Sequence, residues 1–241
     1  MQKSCRVDFG IFTLHAILMS VFMQVPFLLR NGGLPAADHW SAYPSVMLLA
    51  FVIMVPPIIY AEKKSRLKEI FIAAISQLAL LSFHGAIPSI ALALLLFFVA
   101  FNLLEATLPS LISKTAPLTA KGTAMGVYSS VQFMGAFVGA SAGGFLMQHF
   151  DGNAVFISAI ILLLLWLLVA FSMSSPASVR TLTYSLPEVD EATASQLQER
   201  LMQLTGVREA MVVASEQMAS IKVDKHGFDE TGAEQLLRRP S

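Results

Sequence analysis

The stretch AVFISAIILLLLWLLVAFSM, residues 154–173, runs for twenty residues without a charge. A helix needs about 20 such residues to cross roughly 30 Å of hydrocarbon, because each residue rises about 1.5 Å. Lipid cannot satisfy exposed backbone groups, so an isolated apolar segment of this length is stable in a membrane only as a helix. This stretch therefore predicts a transmembrane span.

Five further stretches reach or approach that length. The six predicted spans cover residues 9–29, 44–61, 67–83, 87–108, 122–147 and 154–173. The third is short and begins beside Lys68 and Glu69, whose side chains can extend to the interface. Of the 241 residues, 55% are hydrophobic and 13% charged, whereas soluble domains carry about a quarter charged residues. We predict an all-α membrane lobe over residues 1–175.

The basic residues predict the orientation, because Lys and Arg in short loops are retained on the cytoplasmic side. With the N-terminus inside, only Arg30 falls in an outer loop. The residues that fall on the cytoplasmic side are Lys3, Arg6, Lys63, Lys64, Arg66, Lys68, Lys114, Lys121 and Arg180. We therefore expect a multi-pass membrane protein with both termini in the cytoplasm.

Residues 176–241 form a separate acidic tail, with ten Asp or Glu against seven Lys or Arg after residue 173. Alternating apolar residues predict strands at 181–186, 207–213 and 219–223. Asp190 is placed to cap a helix that ends near Thr205 and Gly206, and a second helix is predicted at 229–237. The order βαββα indicates a cytosolic ferredoxin-like domain without a clear last strand.

Glu105 is the only carboxylate predicted deep within an apolar span. An acid at the centre of a membrane helix costs about 2.5 to 3.5 kcal/mol, so such residues usually face a cavity or a partner and often relay protons. Burial favours the neutral acid, which makes Glu105 a candidate protonation switch. Alternatively Glu105, three residues from the end of its span, extends to the cytoplasmic interface or pairs with a loop lysine. Phe98 and Asn102 precede it on the same face and are also assigned to a transport cavity.

The first span offers two polar candidates on opposite sides. Gln24 shares one side with Thr13 and Ser20, whereas His15, nine residues from Gln24, points the other way. We assign Gln24 to the cavity and interpret His15 as a hydrogen bonder to a neighbouring helix, and the residues alone leave the reverse assignment open. Gln132 on the fifth span is a further cavity candidate, with a bond to a neighbouring helix as the alternative.

Gly135, Gly139 and Gly143 recur every four residues in the fifth span, and Gly122 and Gly126 show the same spacing nearer the cytoplasm. Small residues at this spacing let helix backbones approach closely in lipid, for packing or for sliding. The positions assigned to helix packing are Gly126, Gly135, Gly139 and Gly143.

Several classes of chemistry have no residues to support them. The single cysteine, Cys5, excludes an internal disulfide, and no Cys/His cluster offers a zinc site. The tail lacks the CxxC pair on which ferredoxin-like metal carriers depend. No nucleophile or phosphate loop is recognisable, so we expect neither an enzyme nor a cofactor, and no nucleic acid as a partner.

Three stretches carry a resemblance to a known family. They are EKKSR (62–66), FNLLEATLPS (101–110) and KGTAMGVYSSVQFMGAFVGASAGG (121–144). Together with the tail, they resemble the C-terminal half of a drug-efflux-type major facilitator superfamily transporter with a ferredoxin-like YAM domain. Ser65 stands where the family's loop motif prefers glycine. The resemblance implies helices seven to twelve of a twelve-helix protein and proton-driven export of small molecules, with Glu62, Lys63 and Arg66 at the cytoplasmic gate.

Six helices make only one lobe, whereas such transporters hold the substrate between two. We therefore expect a fragment or a half-transporter. Its expected partners are the lipid bilayer, a small-molecule substrate, protons, and either a missing N-terminal lobe or a second copy of the chain. The alternative is a membrane-anchored regulatory or ligand-sensing module that acts through the tail.

Overall fold

In the part of the chain that the structure describes, six long helices precede a small sheet domain. The computed structural model describes residues 2–60, 67–82, 86–172, 179–224 and 227–238. The helices are α1 Gln2–Asn31, α2 His39–Tyr60, α3 Leu67–Ser82, α4 Ile87–Thr115, α5 Lys121–His149 and α6 Gly152–Phe171. All six predicted helices are present in the predicted order.

Among the described residues, five helical segments are long and apolar enough to cross a membrane. They are Cys5–Asn31, Ala36–Pro56, Ile87–Thr115, Leu118–His149 and Gly152–Phe171. Helix α3 has 16 described residues, short of the roughly 20 that a span needs. Its predicted end at residue 83 lies outside the described residues, so a membrane crossing by α3 stays a prediction.

The outer surfaces of the helices are apolar. Phe133 and Phe137 on α5 are each 72% exposed, and Leu168 on α6 is 67% exposed. Contiguous exposed apolar surface on this scale is an association liability in water and normal in lipid. The exposed surface therefore agrees with the hydropathy of the sequence.

Helix α1 packs antiparallel to α6. Near the start of α1, the ring of Trp166 lies against Gly10, and the Arg6 guanidinium donates to the Ser172 carbonyl at 2.7 Å. Near the other end, the amide of Gln24 occupies the space that a side chain on Gly152 would need. A cation at the C-terminus of a helix also opposes the negative end of its dipole.

The tail contains the predicted elements in the predicted order: β1 Val179–Ser185, α7 Glu191–Met202, β2 Val207–Val213, β3 Met218–Asp224 and α8 Glu230–Arg238. Strand β3 lies between β1 and β2 and is antiparallel to both. Asp190 caps α7 by accepting from the Thr193 amide at 3.0 Å, and its bonds with Thr193 hold the pKa of the Asp190 carboxyl below its usual range. The helices cover one face of the sheet with a core that includes Leu197, Leu201 and Ile221.

The chain divides into two compact units. One comprises Met1–Ser110 and Gly126–Ser174, and the other Leu111–Met125 and Ser175–Ser241. The tail therefore shares a unit with the connection between α4 and α5, a connection that lies within the predicted lobe of residues 1–175.

Candidate transport site

A stripe of glycines brings α5 against the backbone of α1. The stripe consists of Gly135, Gly139 and Gly143, and a Cβ atom on any of these glycines would overlap backbone atoms of α1. The contacts are Gly135 with Phe12, Gly139 with Ala16, and Gly143 with Ser20. Both series rise by four residues in the same direction, so the two helices run parallel at close range. Side chains that flank the stripe can therefore reach from one helix to the other.

Gly126 lies outside this contact. It is exposed, and a Cβ atom there would have no described atom within 4 Å. A helix-packing role for Gly126 stays a prediction.

Gln132 on α5 joins His15 on α1 to Glu105 on α4. The Gln132 Nε2 atom lies 2.9 Å from His15 Nε2 and donates to Glu105 Oε1 at 3.2 Å. The His15 Nε2 and Glu105 Oε2 atoms are 3.7 Å apart. One side-chain amide on α5 thus bridges an imidazole on α1 and a carboxylate on α4, so the network joins three apolar helices.

The partners of His15 define its tautomer. His15 Nδ1 lies 3.2 Å from the Ile11 carbonyl, which only accepts hydrogen bonds, so Nδ1 carries the proton. In the neutral ring Nε2 is then an acceptor, and one hydrogen of the Gln132 amide points at it while the other points at Glu105. The ring of Phe101 contacts the imidazole edge-on at 5.6 Å between centroids.

Glu105 retains unused hydrogen-bonding capacity. Its side chain is 33% exposed, and its buried Oε2 atom has no hydrogen-bond partner among the described residues. Within those residues, no group of three histidine, cysteine or carboxylate side chains is arranged to hold a metal ion. The chemistry that this arrangement can perform is the binding of a proton or of a hydrogen-bond donor.

The other predicted cavity residues lie apart from the His15–Gln132–Glu105 network. Gln24 is buried against the start of α6. Phe98 is buried among aromatic rings, with centroid distances of 5.6 Å to Phe97 and 5.9 Å to Phe22. Asn102 is partly exposed, one turn from Glu105 on α4. The structure brings Glu105 and Gln132 together and joins them to His15.

The predicted gate residues Glu62, Lys63 and Arg66 lie outside the described residues. Their role stays a prediction.

Known proteins with similar sequences are transporters by name. The chain is 40% identical over 239 residues to the inner membrane transport protein YajR of Escherichia coli, a match that covers 97% of this chain and 52% of that protein. It is 31% identical over 139 residues to an uncharacterized transporter of Buchnera aphidicola subsp. Acyrthosiphon pisum, covering 56% of this chain and 36% of that protein. A third relative, an uncharacterized transporter of Buchnera aphidicola subsp. Baizongia pistaciae, is 28% identical over 174 residues. That match covers 67% of this chain and 43% of the relative.

The chain is a multi-pass protein of the inner membrane. It spans about half the length of the curated relatives it matches, or less. No protein-family model matches the sequence.

Sequence reasoning missed two buried polar groups on the helices that carry this network. Asp8 Oδ1 on α1 and the Tyr128 hydroxyl on α5 are buried and have no hydrogen-bond partner among the described residues. Asp8 precedes His15 by seven residues and Tyr128 precedes Gln132 by four, so each shares a helix face with a member of the network. Those spacings were the signal in the sequence that would have found them.

Proposed function

We propose that the chain forms a six-helix half of a proton-coupled exporter of small, drug-type molecules, of the major facilitator type. Three of the relatives are named transporters, and five helical segments within the described ranges are long enough to cross a membrane. The observation that carries the proposal is the amide of Gln132 between His15 and Glu105, because acids within apolar helices are commonly proton relays.

The network supplies a physical mechanism for proton coupling. When the His15 ring is neutral, Gln132 donates to both His15 Nε2 and Glu105 Oε1. A proton on Nε2 would face the Gln132 amide hydrogens, which are also donors, and would instead be drawn toward Glu105 Oε2 at 3.7 Å. Protonation therefore removes the bond that Gln132 donates from α5 to α1 and favours an ion pair between α1 and α4. Proton binding thus becomes a change in helix contacts.

The remainder of the transporter follows from this proposal. Both termini lie in the cytoplasm, and α3 crosses the membrane as one of six spans. Glu62, Lys63 and Arg66 form the cytoplasmic gate. The cavity also takes in Gln24, Phe98 and Asn102. Because substrate is held between two lobes that move against each other, an N-terminal lobe or a second copy of the chain supplies the other wall.

The test is transport with a second lobe supplied. We would fuse the chain behind the N-terminal half of the Escherichia coli relative, reconstitute the fusion in vesicles and follow a fluorescent cationic dye under an imposed pH gradient. We expect transport that follows the gradient and loses its pH dependence in Glu105→Gln, because glutamine has no negative charge with which to pair the protonated His15 ring. Asp38→Asn, in the connection before α2, is the matched control and keeps the coupling. Proton-coupled transport by Glu105→Gln would remove Glu105 from the mechanism.

The second candidate function is a membrane-anchored regulatory module that acts through the tail. It is favoured by the compact unit that the tail forms with residues 111–125, and the split arrangement of the strands supports a ferredoxin-like domain. Deletion of residues 176–241 from the fusion separates the two functions. Unchanged transport and unchanged response to pH would contradict the regulatory role.

A further inference from the structure

The tail sheet binds the connection between α4 and α5 through two side chains. Lys222 Nζ on β3 donates to the Ala116 carbonyl at 2.7 Å. Glu209 on β2 accepts through Oε1 from the Leu118 amide at 2.8 Å. The two bonds therefore hold backbone groups on either side of Pro117.

The two side chains form one built site. Lys222 and Glu209 are directly opposite each other across β2 and β3, and their Nζ and Oε2 atoms are 3.7 Å apart. Glu209 thus uses one carboxylate oxygen for the connection and the other for Lys222. The ammonium of Lys222 is the donor to the Ala116 carbonyl, and the carboxylate of Glu209 is the acceptor for the Leu118 amide.

The lysine of the clamp site and the residues that it holds are buried. Lys222 is only 7% exposed, although lysine is almost never fully buried unless it is paired. Ala116 and Leu118 are 2% and 8% exposed. A buried ammonium is unfavourable without hydrogen bonds, and the Ala116 carbonyl supplies one while Glu209 supplies the opposite charge.

We propose that Lys222 and Glu209 are a clamp by which the tail fixes the end of α4 to the start of α5, and that this clamp supports transport. Helix α4 carries Glu105 and α5 carries Gln132, and five residues separate the two helices. With the connection held, the two helices are constrained to move together. The effect on transport rests on the proposed function, whereas the clamp itself does not.

The test follows hydrogen exchange of the connection in the full chain in lipid nanodiscs. The Leu118 amide is the direct probe, because its acceptor is Glu209. In Glu209→Ala and in Lys222→Met, we expect exchange over residues 116–120 to rise by at least about tenfold, since bonds to charged groups are the strong ones. Amides of β3 should stay protected, which shows that the tail remains folded.

Two further variants distinguish a clamp from an ordinary ion pair. The double variant Glu209→Lys with Lys222→Glu keeps an ion pair across the strands but exchanges donor and acceptor, so we expect the connection to stay deprotected. Arg208→Met is the matched control, because Arg208 pairs with Asp224 at 2.9 Å on the same two strands. We expect Arg208→Met to exchange like the unchanged chain.

The same variants in the transport fusion test the functional part. We expect slower transport in Glu209→Ala and in Lys222→Met, and an unchanged rate in Arg208→Met. Unchanged exchange of residues 116–120, or protection restored by the charge exchange, would overturn the clamp even if the fusion transports. Faster exchange of the connection together with an unchanged transport rate would overturn the role of the clamp in transport. Failure of the unsubstituted fusion to transport would instead count against the proposed function.

Discussion

Gln132 contributes both hydrogens of its amide to contacts between helices. Leucine at this position keeps most of the volume and removes both donors, which leaves His15 Nε2 and Glu105 Oε1 without them. Because an unsatisfied buried polar group costs about 1 to 3 kcal/mol, we expect Gln132→Leu to lower the stability of the six-helix part by about that amount. Thermal unfolding in detergent measures the difference.

The control for this substitution is Gln148→Leu, at an exposed position on the same helix. It has the same change in side-chain chemistry without the two bonds. Equal stabilities for Gln132→Leu and Gln148→Leu would contradict the bridging role of Gln132.

At the scale of residues, the sequence indicates which polar side chains matter but not which ones meet. Glu105 and Gln132 are conspicuous because they lie in apolar helices. The rotation between His15 and Gln24 is reflected in the structure, where they contact α5 and α6, respectively. Which helix lies on each side depends on packing between distant segments, and no spacing within α1 contains that information.

At the scale of elements, the glycine stripe determines how closely α5 approaches α1. Gly139 has no room for a side chain, because a Cβ atom would overlap the backbone of Ala16. Since backbone cannot move aside as a side chain can, we expect Gly139→Leu to destabilise the chain by more than the roughly 1 to 3 kcal/mol typical of overpacking. Gly126→Leu, with open space around it, should leave stability nearly unchanged.

Unfolding in detergent and disulfide trapping between α1 and α5 would measure this difference. Similar losses of stability in Gly139→Leu and Gly126→Leu would show that the backbone contact is not the cause.

Hydropathy predicts the existence of each helix better than its ends. Helix α1 begins at Gln2 rather than residue 9, and α4 continues through Pro109 to Thr115 rather than ending at 108. The pattern marks the part of a helix that lies in hydrocarbon, and polar residues continue the helix beyond it. In the tail, by contrast, alternation predicted the three strands and the Asp190 cap predicted α7, because strand period and helix capping are local signals.

At the scale of the whole molecule, the position of residues 111–125 in the tail unit was outside the reach of sequence reasoning. The bonds responsible join Lys222 to Ala116 and Glu209 to Leu118, over separations of 106 and 91 residues. In both, the partner is a backbone group, which carries no side-chain identity for a pattern to reveal. Long-range contacts to the main chain are therefore seen only once the fold is known.

We propose that lipid surrounds the six helices and that the connections alternate between the two sides of the membrane. Single cysteines at Lys63, Ala86 and Lys121, in a background with Cys5→Ser, can be labelled in oriented membrane vesicles with an impermeant thiol reagent. We predict labelling of Lys63→Cys and Lys121→Cys only from the cytoplasmic side and of Ala86→Cys only from the other side, which would also show that α3 crosses. Labelling of Lys63→Cys and Lys121→Cys from opposite sides would contradict the account.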